Sequence, residues 1–389
     1  MKVGHCACGN TLFLRNSFCS ACGRTVGFLP DRLQMAALEV VDAGFLAADD
    51  PTRVYRACTN QVEHAVCNWF LPPEDDGALC VSCRLTQTIP DLSVPRNLDY
   101  WRTLEQAKRH ALYSLMRLGL PVRSKIEDPE QGLAFDFLAD KDPESEFTKP
   151  LPGQEPVLTG HDNGLITLNL AEADPVARTR HRRHLGEDYR TLLGHFRHEL
   201  GHYYWDRLIA GTDHEAAFRD AFGDERADYG AALNRHYEQG PPADWPERFV
   251  SAYATMHPWE DWAETWAHYL HMVDTMDTAA DFGVRLRRIP GDASPDPELL
   301  TITLGEDFAA LMDQWLSLSV LTNALNRSMG IEDAYPFVLT PAVRAKLQFV
   351  HEVVLQNDAA ATGAAPSSST KGALSWLPKI CSSQFKSGT

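Results

Sequence analysis

Gly194-His195-Phe196-Arg197-His198-Glu199-Leu200-Gly201-His202-Tyr203 carries two histidines four residues apart with a glutamate beside the first, the pattern H-E-x-x-H. Four residues is just over one helical turn, so on a helix both imidazoles face one side and can bind one Zn²⁺, while Glu199 reaches a water on that ion. Around the motif Leu192, Leu193, Phe196, Leu200, Tyr203, Tyr204 and Leu208 recur at helical spacing. They predict a long, mostly buried helix over about 188–209. Ahead of it, residues 164–170 alternate apolar and polar side chains and read as a strand, with Asp162-Asn163-Gly164 as the hairpin turn before it. A peptidase would use such a strand to hold an extended substrate by main-chain hydrogen bonds.

A catalytic zinc ion takes three protein ligands and leaves the fourth position to water. Two downstream acidic clusters compete to supply the third ligand. One is Gly223-Asp224-Glu225-Arg226-Ala227-Asp228-Tyr229, with Glu225 and Asp228 as candidates. The other is Trp259-Glu260-Asp261-Trp262-Ala263-Glu264-Thr265-Trp266-Ala267-His268, preceded by Pro258 as a helix start. Carboxylates among so many large apolar residues are costly unless paired, protonated or bound to metal. Glu260 is therefore favoured as the ligand, and Glu264, one turn on, as the acceptor that orients a zinc histidine.

Eight of the nine cysteines precede residue 84, as Cys6, Cys8, Cys19, Cys22 and then Cys58, Cys67, Cys80, Cys83. Cys19-x-x-Cys22 and Cys80-x-x-Cys83 have knuckle spacing, which lets two thiolates share one ion. Each group can form a closed Cys₄ site, structural in kind. The pair Cys6-x-Cys8 is one residue short of the usual gap and His5 would restore it, so either Cys6 or His5 is the ligand, with Cys6 favoured. No signal peptide is read ahead of the cysteines, so thiolate zinc sites in a reducing cytosol are expected rather than disulfides. Ribbons of this size have almost no hydrophobic core, and metal supplies the folding energy.

The formal net charge is −17, which argues against nucleic acid as the main partner. The basic run Arg178-Thr179-Arg180-His181-Arg182-Arg183-His184 reads as the solvated face of a helix opened by Asp174-Pro175. No apolar run approaches membrane-spanning length. The remaining pattern predicts helices over 98–120, 216–237, 307–329 and 341–355, a short strand at Phe135-Asp136-Phe137-Leu138, and a loop over 140–155. Past Asn357 the chain turns to Ala, Ser, Thr and Gly and reads as a disordered tail. The expected division is a zinc-ribbon region over 1–85, a metallopeptidase domain over 86–357 and a tail over 358–389. The fold class is α+β, with a small sheet and a mainly helical C-terminal half.

The stretch Tyr253-Ala254-Thr255-Met256-His257-Pro258-Trp259-Glu260-Asp261-Trp262-Ala263-Glu264 resembles the third-ligand helix of gluzincin metallopeptidases of the anthrax lethal factor type. In those the ligand glutamate opens the helix and a tyrosine seven residues earlier faces the metal. Tyr253 stands at that place, and the resemblance implies that its phenol stabilises the oxyanion or assists the leaving group. The wider pattern, including Asn326-Arg327-Ser328-Met329-Gly330 and Tyr335-Pro336-Phe337-Val338-Leu339, is similar to a bacterial family of zinc-ribbon proteins assigned as metallopeptidases, over nearly the whole chain to about Asn357.

The function expected is hydrolysis of peptide bonds in a protein or peptide substrate by a zinc-activated water. Glu199 serves as general base and His198, His202 and Glu260 hold the catalytic ion, with two further structural ions in the cysteine groups. The ribbons offer a surface for a protein partner. The alternative is a ribbon-based binding or adaptor protein whose third zinc site is not catalytic.

Overall fold

The computed structural model describes residues 2–139, 157, 159–179, 191–287 and 299–362, with side chains described as far as residue 357. Near the N-terminus the two-residue strands Gly4–His5 and Thr11–Leu12 pair antiparallel beside the first cysteines. From Val26 into the second cysteine group runs an antiparallel sheet that the sequence pattern did not predict. Its strands run in chain order, β1 (Val26–Leu29), β2 (Gln34–Val41), β3 (Gly44–Ala47), β4 (Asp50–Ala57) and β5 (Phe70–Leu71). Leu29, Ala36, Leu38, Ala47, Tyr55 and Phe70 fill a small core on one face. On the other face Phe28 stacks against Trp69, with ring centroids 4.5 Å apart, and meets Tyr113 of a later helix at 5.8 Å. The expectation of ribbons almost without a hydrophobic core is thus corrected. Alternation at the strand period sends side chains to both faces of the sheet, and both faces are covered.

A second sheet of four strands carries the other half. Its members are β6 (Thr86–Thr88), β7 (Ala134–Leu138), β8 (Gly160–Asp162) and β9 (Leu165–Asn169), in the spatial order β8-β9-β7-β6. The β8–β9 turn is where the sequence places it. Asn163 and Gly164 both have positive φ, at 45° and 80°, as a two-residue hairpin requires. β9, however, pairs antiparallel with β8 and parallel with β7, so its backbone is taken on both sides. The expectation that this strand holds a substrate is corrected: among the described residues, the outer strand on that side is β8.

The longer helices among the described residues are α1 (Pro95–Arg117), α2 (Leu192–Leu208), α3 (His214–Phe222), α4 (Tyr229–Gln239), α5 (Pro258–Asp281), α6 (Phe308–Ser328) and α7 (Pro341–Thr362). The single helix expected over 216–237 is two, because Gly223 turns the chain at φ 104° and Asp228 caps a new helix by accepting from the Ala231 amide at 2.9 Å. α7 continues past Asn357, where a disordered tail was expected to begin. Residues 175–179 are helical behind Asp174, which accepts from the Val176 amide at 2.7 Å. Most of the basic run, the expected loop over 140–155 and the tail from 363 lie outside the described residues. No helix among the described residues is long and apolar enough to cross a membrane.

One continuous core joins the cysteine groups to the helical half, running from Cys58, Cys67, Cys80 and Cys83 through Trp101, Phe135 and Phe196 to Trp262. α1 makes the joint. Its Arg109, 4% exposed, donates to the Val66 carbonyl at 2.8 Å, lies 3.6 Å from Glu105, and acts through space on Cys67, Cys83 and Cys80. Beside it Lys108 and Glu105, both fully buried, pair at 2.8 Å, and Thr86 of β6 donates to the same Glu105 oxygen at 2.9 Å. Replacing Arg109 by Ala leaves the buried sulfurs without their cation and Glu105 with Lys108 alone, so it should cost about 3–5 kcal/mol. Urea unfolding followed by tryptophan fluorescence measures this loss, and a change under about 1 kcal/mol would mean that the charge is not needed there.

Candidate metal centres

α2 begins at Thr191, whose hydroxyl accepts from the Gly194 amide at 2.9 Å, and α5 begins with Pro258 in its first turn behind His257, whose Nδ1 accepts from the Trp259 amide at 3.2 Å. The two helices pack closely because residue 201 has no side chain. A Cβ there would sit 2.9 Å from the Ala263 Cα and 3.2 Å from the Trp266 ring. Trp262 fixes the crossing by donating from Nε1 to the Gly201 carbonyl at 2.8 Å.

That crossing sets the H-E-x-x-H face of α2 against the first turns of α5. His198 Nε2 lies 2.9 Å from one oxygen of Glu260, and His202 Nε2 lies 3.4 Å from the other. The ligand atoms of all three residues fall within 4.8 Å of one another. Bonds of ~2.0–2.1 Å to a tetrahedral ion would place them about 3.4 Å apart, so the donor set fits Zn²⁺. His198 Nδ1 pairs with Glu264 at 2.6 Å, and the Ser251 hydroxyl donates to the other Glu264 oxygen at 2.6 Å. Burial pushes the His198 imidazole down, but its hydrogen bonds to Glu260 and Glu264 outweigh this and hold it well above the ordinary histidine value. For Glu264 burial acts upward, yet the bond to His198 and its charge bring the carboxyl to about 2. Such a chain of carboxylates raises the basicity of an imidazole and fixes its tautomer.

Glu199 is buried on the same helix, and its charge acts on the phenols of both Tyr229 and Tyr253. Tyr253 sits on a short turn, with its ring centroid 6.0 Å from that of His198. The two rival ligands are engaged elsewhere. Glu225 takes the Arg219 guanidinium on both oxygens, and Asp228 caps α4. Four contributors escaped the sequence reading. Tyr229 donates to Glu260 at 2.9 Å, Ser251 holds Glu264, Trp259 lies with its ring 3.9 Å from that of His202, and His161 of β8 stacks 6.3 Å from His202. The fold alone brings them in, although Tyr229 did stand in the rejected acidic cluster. Burial, and then the charge of His202, lower the His161 imidazole to about 3, so it is neutral.

Both cysteine groups close as the sequence grouped them, and each keeps its sulfurs within 4.8 Å. Cys6–Cys22 and Cys8–Cys19 are 3.6 Å apart, and Cys67–Cys80 3.7 Å. These match the ~3.8 Å edge of a zinc tetrathiolate. A disulfide needs about 2.05 Å. The exposed His5 is outside the first group, and Cys6 is within it. In that group Cys8 and Cys22 face solvent, whereas all four sulfurs of the second are buried. Hydrogen bonds from the backbone amides of Cys22 and Ala21 lower the Cys19 thiol to about 6.

A family model described as "Putative zinc-binding metallo-peptidase" matches residues 97–353. The chain belongs to that zinc-binding metallopeptidase family. A zinc-ribbon model matches residues 3–94, ahead of the metallopeptidase match. Uncharacterized proteins of Mycobacterium bovis and of two strains of Mycobacterium tuberculosis are each 44% identical over 356 residues, covering 91% of this chain and 95% of their own length. No solved structure matches the chain. The metallopeptidase match spans the crossing of α2 and α5, and with it His198, His202 and Glu260.

Gly201→Ala tests that crossing directly. The added methyl group meets backbone rather than a movable side chain, so the helices must separate. The cost expected is about 1–3 kcal/mol, read as a lower midpoint in thermal unfolding, whereas alanine in a free helix would raise it.

Proposed function

We propose that this protein is a zinc-dependent metallopeptidase of the gluzincin type, with residues 86–357 as its catalytic part and the cysteine groups of residues 1–85 as two structural zinc sites. The observation that carries the reading is the convergence of His198, His202 and Glu260 on one point, with Glu199 on the same helix. A zinc ion held there would acidify a water and polarise the scissile carbonyl. Glu199 takes the proton of the attacking water and hands it to the departing amine. Tyr253 donates to the oxygen on which negative charge develops. Glu264 and Ser251 keep His198 in the tautomer that presents Nε2 inward. No covalent intermediate with the protein is needed. A peptide laid along the outer side of β8, which no strand among the described residues pairs, would pass the His161 and His202 rings and add a strand to the sheet. The eight thiolates call for a reducing compartment, and we place the protein in the cytosol.

Elemental analysis of the wild type, Glu199→Gln and Glu260→Ala, together with cleavage of casein, tests the proposal. We expect three zinc ions per chain in the wild type and in Glu199→Gln, and two in Glu260→Ala. Turnover should fall at least about 10²-fold in Glu199→Gln. Two ions in all three proteins, with no cleavage, would replace the proposal with a ribbon-based binding protein.

A further inference from the structure

α4 is held to the molecule in an unusual way. Ala232 is its one buried residue, and its remaining side chains are exposed or partly exposed. Eleven residues are too few for a helix to persist in water on its own propensity, and one alanine adds on the order of 1 kcal/mol of burial. What fastens α4 is polar and concentrated at the metal centre. The Tyr229 hydroxyl donates to Glu260 Oε1 at 2.9 Å. Just ahead of the helix, His257 Nε2 meets the Ala227 carbonyl at 3.1 Å, and the Tyr229 ring lies 5.3 Å from that of His257.

The bond to Glu260 has a specific use. The side chain of Glu260 is 3% exposed, so each of its oxygens needs a partner. A carboxylate that binds an ion through one oxygen leaves the other as a buried acceptor. Without a donor it can swing onto the ion as well and take the position meant for water. Tyr229 supplies the donor, from a helix whose other described side-chain attachments are the buried Ala232 and His236, which meets the Tyr253 ring at 5.9 Å and the Thr255 hydroxyl at 3.5 Å.

We infer that Tyr229 is a positioning residue for Glu260, and that its hydroxyl latches the exposed helix α4 to the metal centre, so that metal occupancy and the order of α4 are coupled. The inference rests on the reading of Glu260 as a zinc ligand. The coupling works both ways: an ion that fixes Glu260 presents a fixed acceptor to Tyr229, and Tyr229 in place favours the one-oxygen geometry.

The test uses the full chain with both cysteine sites loaded, comparing wild type, Tyr229→Phe and Tyr253→Phe. Chelator competition reads zinc affinity at the central site, and hydrogen exchange reads peptides covering residues 224–245 with that site empty and filled. In the wild type, zinc should slow exchange in α4. Tyr229→Phe should weaken central zinc about 10–100-fold and abolish that slowing, while the two cysteine-bound ions remain and report an intact fold. Tyr253→Phe retains the bond to Glu260 and should keep an affinity near that of the wild type. Unchanged central affinity in Tyr229→Phe, or α4 exchange indifferent to zinc in the wild type, would overturn the latch. A wild type that takes up only two ions would instead overturn the metallopeptidase reading, and the latch with it, before any variant is compared.

Discussion

The close crossing of α2 and α5 at Gly201 is the constraint on which the rest of the molecule depends. Neither helix holds a metal site by itself. α2 offers two imidazoles and a carboxylate on one face, and α5 offers Glu260 and Glu264 in its first two turns. They become a site only when two backbones come near enough for side chains of ordinary length to meet, and that distance is set by the missing Cβ and by the Trp262 bond to the Gly201 carbonyl. Trp262 and Trp266, both fully buried, fill the space on α5 that this approach leaves. Their bulk makes the crossing stiff, because a packed core has few alternative arrangements of similar energy.

Buried charge is the second organising principle. The chain is strongly acidic, yet its interior holds cations matched to anions, several of them on another element. Arg197, next to His198 in sequence, is 2% exposed. It donates to Asp274 of α5 at 2.6 Å and is in contact with His271, while Asp274 also pairs with His110 of α1 at 2.7 Å. Three helices are thereby pinned behind the face that carries His198 and His202. Lys346 of α7 reaches the buried Asp261 at 2.5 Å, which ties α7 to α5. Such pairs contribute little as isolated interactions, but removing one partner strands the other, so they favour one arrangement over its competitors.

Much of the centre was legible in the sequence for a physical reason. His198, Glu199 and His202 lie on one helical turn, and Glu260 and Glu264 on another, so spacing alone states which atoms share a face. The cysteine knuckles are legible in the same way, and the contest between Cys6 and His5 is decided by burial, since His5 ends a strand facing solvent and Cys6 just past it turns inward. Tyr229, Ser251, His161 and Trp259 were not legible as partners, because each meets the centre through tertiary placement, from a loop, a hairpin or a neighbouring helix. The five-stranded sheet over 26–71 was not legible because its short strands are interleaved with metal motifs, although Val26, Phe28 and the residues of β2 have the composition of strands. The break at Gly223 was present in the sequence as a glycine and an aspartate five residues apart, and helical periodicity on either side masked it.

The strand β6 has a bearing on how the protein is made. It falls within the span matched by the zinc-ribbon model, yet it completes the four-stranded sheet by pairing with β7, and its Thr86 joins Glu105 and Lys108 of α1. The second cysteine group is likewise finished by Arg109. On the ribosome the four sulfurs emerge before the cation that faces them, and β6 emerges before the strand it pairs with. Through that interval the N-terminal segment can gather its metal but cannot complete its own interior, so its maturation ends only with the folding of the chain that follows it.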